Sequence, residues 1–276
     1  MRLQNRIKGL IAITLVFVGL TGCGEYQRVL KSSDPNVKYE YAKRAFNEKK
    51  YAQASSLLEE VIHVFKGSEK AEESLYLLGL SNYENKDYPT ASTYFSTYYS
   101  RYPRGKYAEL ARFYSGYGYY LDSPDVQLDQ SGTIRAIEEL QAFIDYFPRS
   151  ERVSIAQNAI FELQDKLTLK ELQNAQLYYN LGTYLGNNYE SAIIVARNAI
   201  KEYPYSKYKE DLEMLMLKSR YQIASLSVEE KKTDRYRDVI DEYYSFINNF
   251  PDGPNRKEAD LIFKIASRHV ADNAER

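Results

Sequence analysis

Two positions recur together five times along this chain, and the second, an aromatic residue, always lies 14 residues after the first. This spacing constrains the fold more than any other feature. Four of the five aromatics precede proline, which cannot continue a helix. Three residues after each upstream position lies a small side chain, Ala in four copies and Val in the fifth. The interval therefore predicts five helices of about four turns, each followed by a turn. The pairs are Tyr51 and Phe65, Tyr88 and Tyr102, Thr133 and Phe147, Tyr189 and Tyr203, and Tyr236 and Phe250.

A first helix precedes each of these five, and the second copy shows it most clearly. Gly79 and Ala91 would let two antiparallel helices approach closely, and Phe95 would fill the gap between them. The order of these residues resembles the tetratricopeptide repeat. We therefore predict an all-α fold, a tetratricopeptide-repeat-like solenoid of five helical hairpins. The matching positions are Leu75, Leu78, Gly79, Ala91, Phe95 and Pro103.

The copies are unequally spaced, because the upstream positions are 37, 45, 56 and 47 residues apart. The additional residues of the fourth copy, which make the interval of 56 the longest, lie between Arg149 and Leu181. This stretch contains neither Gly nor Pro. It predicts a long linking helix between repeats three and four, or two abutting helices. We expect repeats 1–3 in residues 36–150, the linking helix with repeats 4–5 in residues 151–270, and a tail at residues 271–276. This layout would offer two binding surfaces, as a scaffold does.

The first 22 residues are typical of a signal peptide. Arg2, Arg6 and Lys8 precede an apolar run of 11 residues, about half of the ~20 that span a bilayer as a helix. The run ends in Leu-Thr-Gly-Cys at residues 20–23, which resembles the lipobox of bacterial lipoproteins. We expect residues 1–22 to be removed, Cys23 to carry the lipid, palmitate included, and residues 23–35 to form a tether. An ordinary signal or anchor with a chance cysteine is the alternative.

Lipidation of this kind implies a membrane location. Several acyl chains together make attachment effectively permanent, because each buried methylene contributes roughly 0.8 kcal/mol. In such lipoproteins an Asp after the cysteine implies retention at the inner membrane, whereas Gly24 stands here. We therefore expect the outer membrane, and its periplasmic face, because no acidic run follows Cys23.

Composition argues against several functional classes. The 37 Lys and Arg residues nearly balance the 38 Asp and Glu residues, which disfavours nucleic-acid binding. One cysteine and two histidines are too few to suggest a metal centre. The chain contains no nucleophile elbow and no phosphate loop. We expect no enzyme activity, no catalytic residue, no cofactor and no metal.

In tetratricopeptide repeats the first helix of each pair lines an inner groove. In the first three copies the groove positions include aromatic residues, Leu80 and one lysine. Such a groove suits an extended peptide with aromatic side chains and a terminal carboxylate. Packing between repeats is the alternative for any one of these side chains. The candidates are Tyr39, Lys43, Phe46, Tyr76, Tyr83, Phe113, Tyr117 and Tyr120.

The lipobox, the five repeats and the linking segment together resemble the BamD family, lipoproteins of the outer-membrane β-barrel assembly machinery. Segments 143–148, 162–167 and 201–204 carry the resemblance, with Tyr178, Tyr179 and Ala192 between them. It implies that the C-terminal repeats dock on a BamA-type barrel subunit. It also implies that the N-terminal repeats recognise C-terminal signals of unfolded outer-membrane proteins, and that no residue is catalytic. The tyrosine-rich groove and the tail to Arg276 depart from better-known members, so accessory subunits are not implied.

Two other functions fit the same features. A different periplasmic repeat-containing lipoprotein could scaffold cell-wall or division proteins with the same anchor. A glycan-binding lipoprotein could use exposed aromatic rings to stack on sugars. Co-purifying partners and a glycan array distinguish these hypotheses.

Overall fold

The structure is a computed structural model that describes residues 24–274. The predicted signal peptide and the predicted lipid attachment at Cys23 lie outside the described residues. Within the described range there are helices, turns and loops but no strand, which confirms the all-α prediction. None of the helices in this range is both long and apolar enough to cross a bilayer.

A short helical segment at residues 24–30 comes first, inside the predicted tether, and Tyr26 packs there against Tyr41 with ring centroids 6.1 Å apart. Eleven longer helices follow in the described part of the chain. They are α1 (Pro35–Asn47), α2 (Tyr51–Val61), α3 (Glu69–Glu84), α4 (Tyr88–Arg101), α5 (Ala108–Leu121), α6 (Ser131–Tyr146), α7 (Val153–Leu181), α8 (Asn188–Glu202), α9 (Lys209–Ser225), α10 (Glu229–Asn249) and α11 (Arg256–Ala274).

The helices pair in the predicted order. Helices α1 and α2, α3 and α4, and α9 and α10 pack together, and α11 packs on α10. Ring contact between Phe113 and Phe143 joins α5 to α6, and Tyr179 meets Tyr189 between α7 and α8. First helices of neighbouring pairs also touch, α1 with α3 and α3 with α5, and α9 touches α11, which follows the fifth pair. This arrangement confirms the tetratricopeptide-like hairpins.

Most second helices end just before the recurring aromatic residue. A residue that precedes proline is sterically driven out of the α region. Accordingly Tyr102, Tyr203 and Phe250 have φ of −126°, −125° and −135°, with ψ of 63°, 68° and 66°. No proline follows Phe65, and there α2 ends early, at Val61, and continues as turns. The predicted helix end is thus wrong for the first copy only.

The small residues lie where helices of a pair come closest. A Cβ at Gly79 would be 2.8 Å from the Phe95 ring, and a Cβ at Gly116 would be 2.9 Å from Leu140. Larger side chains there would force the helices apart. The small residue three positions after each upstream position is fully buried, at Ala54, Ala91, Ala136, Ala192 and Val239. In the fifth copy it is not near the helix start, because α10 already begins at Glu229.

Carboxylates tie the first helices α3, α5, α7 and α9 to the turn that precedes the helix after the next one. The Glu72 carboxylate in α3 accepts from the Lys106 backbone N–H at 2.7 Å. In α5 the Glu109 carboxylate accepts from the Ser150 hydroxyl at 2.6 Å. Hydrogen bonds to a charged acceptor are stronger than neutral ones, so these contacts help to set the stacking of the repeats. The equivalent contacts in later repeats are Asp165 with Ser206 and Lys207, and Glu210 with Asn255.

The residue three positions after the recurring aromatic is either Ser or Gly, and in the last four copies the carboxylate explains why; in the first copy Ser68 donates to the Phe65 carbonyl oxygen. Ser150 and Ser206 donate their hydroxyls to the carboxylate. Where Gly occurs, a backbone N–H donates instead, and a Cβ at Gly105 would lie 2.5 Å from the Glu72 oxygen. Space for the carboxylate therefore requires glycine in those copies.

The chain divides into two compact units. In the described part of the chain, the N-terminal unit comprises residues 24–123 and 132–157, and the C-terminal unit comprises residues 124–131 and 158–274. The 124–131 loop joins the C-terminal unit because Lys166 and Lys170 donate to its carbonyl oxygens, at 3.2 and 2.8 Å. The predicted boundary lay at residue 150, a few residues earlier.

Helix α7 is a single helix of 29 residues, which answers the question of one linking helix or two. At 1.5 Å per residue it is about 43 Å long. Asp165 occupies the position that Glu72 and Glu109 hold in α3 and α5. The residues of α7 before Asp165, 153–164, are therefore the surplus of the fourth copy, and the rest of α7 is the first helix of the fourth pair.

Candidate functional site

All predicted peptide-binding residues lie on the first helices of the N-terminal unit. Because α1, α3 and α5 contact one another in turn, their side chains follow one another across this unit. The structure divides the set into three buried residues and five half-buried ones. They are Tyr39, Lys43 and Phe46 on α1, Tyr76 and Tyr83 on α3, and Phe113, Tyr117 and Tyr120 on α5.

Tyr39, Tyr76 and Phe113 are buried. Tyr39 meets Phe65, in the turn before the next repeat, whereas Phe113 meets Phe143 of its own hairpin. Tyr76 stacks on Tyr107 with centroids 4.2 Å apart and planes 4° apart, and it meets Tyr98 edge-on. Burial raises the pKa of the Tyr76 hydroxyl. Tyr39 and Tyr76 thus pack between repeats, which is the alternative to peptide binding, and Phe113 packs inside its hairpin. A peptide contact for them stays a prediction.

Four half-buried tyrosines form two ring pairs that are joined by Phe113, and we name them the tyrosine patch: Tyr83, Tyr114, Tyr117 and Tyr120. Tyr83 lies 4.9 Å from Tyr114, and Tyr117 lies 5.0 Å from Tyr120, between ring centroids. Burial, helped by the neighbouring Tyr114, raises the pKa of Tyr83, so its hydroxyl stays protonated at neutral pH. The patch therefore offers aromatic surface for stacking and hydroxyl groups that can donate hydrogen bonds.

Tyr114 is a member of this patch that the sequence patterns do not single out. It lies three residues before Tyr117 on α5, and residues at this spacing share one helix face. That spacing is the signal by which sequence reasoning would have included it. Phe46, by contrast, packs edge-on against Tyr51 of the same hairpin, with centroids 5.5 Å apart.

The predicted basic residue is already paired. Lys43 Nζ lies 2.9 Å from a carboxylate oxygen of Glu73, and the Tyr39 hydroxyl donates to the same carboxylate. A second lysine, Lys70, lies over the rings of Tyr39 and Phe65, with Nζ 5.4 and 5.5 Å from their centroids. We name Tyr39, Lys43, Lys70 and Glu73 the lysine cluster. A ligand carboxylate that approaches Lys43 must compete with Glu73.

Titration within this cluster follows from burial and hydrogen bonding. Burial, together with the Glu73 carboxylate, raises the pKa of Tyr39 to about 12. Burial would also raise the pKa of Glu73, but hydrogen bonds from Tyr39 and Lys43 outweigh it and the pKa is lowered. The hydrogen bond to Glu73 raises the pKa of Lys43. At neutral pH Glu73 is therefore a carboxylate, Lys43 an ammonium group and Tyr39 a protonated phenol.

Comparison with known proteins gives a family for the matched region. A family model described as an outer membrane lipoprotein, YfiO, matches residues 31–187. This region contains α1 to α7 and every predicted peptide-binding residue. The outer membrane protein assembly factor BamD of Caulobacter vibrioides is 25% identical over 191 residues. That match covers 66% of this chain and 61% of the relative, so it spans less than two thirds of the relative's length.

Solved structures with similar helices contain tetratricopeptide repeats. The TPR2AB domain of yeast Sti1, in complex with an Hsp90 peptide, matches with a TM-score of 0.40 and 12% identity, over 84% of this chain and 98% of that chain. A tetratricopeptide-repeat protein of Thermus thermophilus matches with a TM-score of 0.33 and 14% identity, over 84% and 98%. The fold assignment for the present chain rests on its own helix pairs.

Proposed function

This chain belongs to the YfiO family of outer membrane lipoproteins, and from that membership we propose that it is a subunit of the machinery that inserts β-barrel proteins into the outer membrane. The match of the family model to residues 31–187 is the observation that carries the proposal. The name of the Caulobacter relative, an outer membrane protein assembly factor, supports it.

In this role the protein is a scaffold and not an enzyme. Lipid on Cys23 holds it at the periplasmic face of the outer membrane. The C-terminal repeats dock on a BamA-type barrel subunit, and the N-terminal repeats recognise the C-terminal signals of unfolded outer-membrane proteins. Each activity is binding alone, for which stacked hairpins with exposed helix faces are suited.

The geometry of the N-terminal unit supports peptide recognition. An aromatic side chain of the peptide stacks on the tyrosine patch, where each aromatic pair contributes about 0.5–1.5 kcal/mol beyond the buried area. Tyrosine hydroxyls such as that of Tyr83 donate to peptide carbonyl oxygens. The terminal carboxylate of the peptide pairs with Lys43 or Lys70 of the lysine cluster, and at Lys43 it displaces Glu73.

Depletion of the protein tests the assembly role. Membranes from depleted cells should contain less of many different outer-membrane barrels, measured together by quantitative mass spectrometry. Unchanged barrel levels would contradict the proposal. Co-purification adds a second measurement: the dominant partner of the lipidated protein should be the barrel subunit, and recovery of a cell-wall enzyme in its place would favour the alternative scaffold.

A further inference from the structure

A separate groove lies in the C-terminal unit, between α7 and α9, and has a volume of about 510 Å³. Its apolar lining comes from Leu172 and Leu177 on α7 and from Met214 and Leu215 on α9. Met214 and Leu215 are buried, whereas the Leu177 side chain is 59% exposed. The groove therefore has a packed apolar floor and one exposed apolar side chain at its edge.

Amide side chains form most of the polar lining of this groove. Gln173, Gln176 and Asn180 lie along α7, and Asn255 precedes α11. The Gln176 amide donates to the Asn180 side-chain oxygen at 2.8 Å, so these two amides are aligned with each other. A carboxamide carries both donors and acceptors, as a peptide group does. The lining thus matches the backbone of another polypeptide better than it matches an ion.

The two charged side chains of the lining are already engaged. Lys218 Nζ lies 2.8 Å from a Glu258 carboxylate oxygen. The Asp211 carboxylate accepts from the Asn255 amide at 3.4 Å. Because the lining holds one cation and one anion, it has no net charge that would attract a phosphate or an acidic segment. Its charge therefore complements a neutral ligand.

We propose that this groove binds an extended, uncharged polypeptide segment whose alternate side chains are apolar. In an extended strand, alternate side chains point to the same side, where they can enter the apolar floor. The backbone groups between them then face the amides of the lining. From Leu172 to Asn180 α7 rises about 12 Å, which an extended segment of about four residues matches. The site lies in the C-terminal unit, so it does not depend on recognition of C-terminal signals by the N-terminal unit.

The probe is a fluorescein-labelled octapeptide that alternates Leu or Val with Ser or Thr, with both ends capped. Its binding to the mature full-length protein is followed by fluorescence anisotropy. Leu177→Asp should weaken binding about tenfold, because it places a charge at the apolar edge. Leu261→Asp on α11 is the matched control, since Leu261 is 58% exposed and lies outside the groove. It should leave the affinity unchanged.

A second arm tests the role of the amides. The same peptide with N-methylated backbone amides should bind roughly tenfold more weakly, and this difference should shrink in a Gln173→Ala, Gln176→Ala variant. Both glutamines are exposed, so the variant should keep its circular dichroism spectrum. Replacing the C-terminal cap by a free carboxylate should not strengthen binding, because the lining cation Lys218 is paired.

Three outcomes would overturn the proposal. Equal effects of Leu177→Asp and Leu261→Asp would show that the groove does not contact the peptide. Equal binding of the methylated and unmethylated peptides would remove the role of the amides. Absence of peptide binding, together with a dimer in sedimentation that Leu177→Asp dissociates, would assign the groove to a second copy of the chain.

Discussion

Replacement of Gly105 by alanine tests whether the carboxylates set the stacking of the repeats. A Cβ at Gly105 would lie 2.5 Å from a Glu72 carboxylate oxygen and 2.6 Å from the Tyr98 hydroxyl oxygen. Both distances are shorter than real Cβ contacts, so the Glu72 side chain must move. It would then lose the hydrogen bonds that it accepts from the Lys106 N–H and the Tyr98 hydroxyl.

The magnitude follows from these two hydrogen bonds. A hydrogen bond to a charged group contributes about 1.5–3 kcal/mol, and the lower end applies because Glu72 is half-buried and can regain water. Two such bonds give a loss of about 3 kcal/mol. Replacing glycine by alanine returns about 0.5–1 kcal/mol by lowering the entropy of the unfolded chain. Gly105→Ala should therefore lower the free energy of unfolding of the N-terminal unit by about 2 kcal/mol.

Hydrogen exchange followed by mass spectrometry measures this effect locally. Backbone amides of α3, α4 and α5 should exchange roughly 30-fold faster in Gly105→Ala, since 1.4 kcal/mol is a factor of ten. Gly132→Ala is the matched control, because no atom lies within 4 Å of a Cβ there. It should leave exchange unchanged or slow it slightly. Equal exchange in the two variants would refute the argument, as would a full effect of Gly105→Ala in a Glu72→Ala background.

Three further predictions concern the tyrosine patch, the lysine cluster and a half-buried carboxylate. Tyr83→Ala combined with Tyr117→Ala should weaken binding of a peptide with an aromatic C-terminal residue by about 1–3 kcal/mol, measured by anisotropy, because both half-buried rings are lost. Glu73→Gln should strengthen binding of the free-acid peptide a few-fold, on the order of 0.5–1 kcal/mol, and leave the amidated peptide unchanged, because Lys43 loses its partner. Burial raises the pKa of Glu242 above its usual 4.5 despite the opposing effect of Arg220. Between the pKa of Glu242 in the unfolded state and its higher pKa in the folded state, the folded protein therefore binds more protons than the unfolded chain. The contribution of Glu242 to stability is therefore present below pH 4.5 and is lost as pH rises through the folded pKa; Glu242→Gln should flatten this part of the pH dependence of thermal unfolding.

Each of these has a control and an outcome that contradicts it. Tyr205→Ala, at an exposed tyrosine outside the patch, should leave peptide affinity unchanged; an equal loss would mean that the patch is not the site. If Glu73→Gln changes the free-acid and amidated peptides alike, Lys43 does not meet the carboxylate. An unchanged pH profile in Glu242→Gln would show that another group titrates there.

The positions of most helix ends follow from residues that are neighbours in the chain. Tyr102, Tyr203 and Phe250 leave the helical conformation because the next residue is proline, a steric effect that needs no tertiary contact. Where the proline is missing, after Phe65, the end of the helix moves. The all-α class and the five hairpins could be predicted for this reason.

The positions of the small side chains between the two helices of a hairpin were also predictable, because they follow the regular spacing of the repeats. Ala91 and Gly79 recur at fixed distances from the aromatic residue, and burial at those positions follows once two helices pair. Spacing along the sequence therefore reports the interface within a hairpin.

The candidate site is different, because exposure depends on neighbouring repeats. Tyr76 and Tyr83 lie on one helix at similar-looking positions, yet Tyr76 is covered by Tyr107 and Tyr83 remains half-exposed. The partner of Lys43 is Glu73, 30 positions further along the chain in the next repeat. Sequence patterns name the type of these residues but not the contacts that bury or neutralise them.

The amino-acid sequence alone determined the helical repeat, the turns that divide it and the aromatic character of its first helices, because all of these depend on local sterics and on periodic burial. Only the tertiary structure decided which tyrosines are exposed, how Glu72 reaches the turn at Lys106, and that α7 and α9 enclose a neutral groove. These features join residues some 30 to 40 positions apart, and their positions follow from the packing of one hairpin on the next.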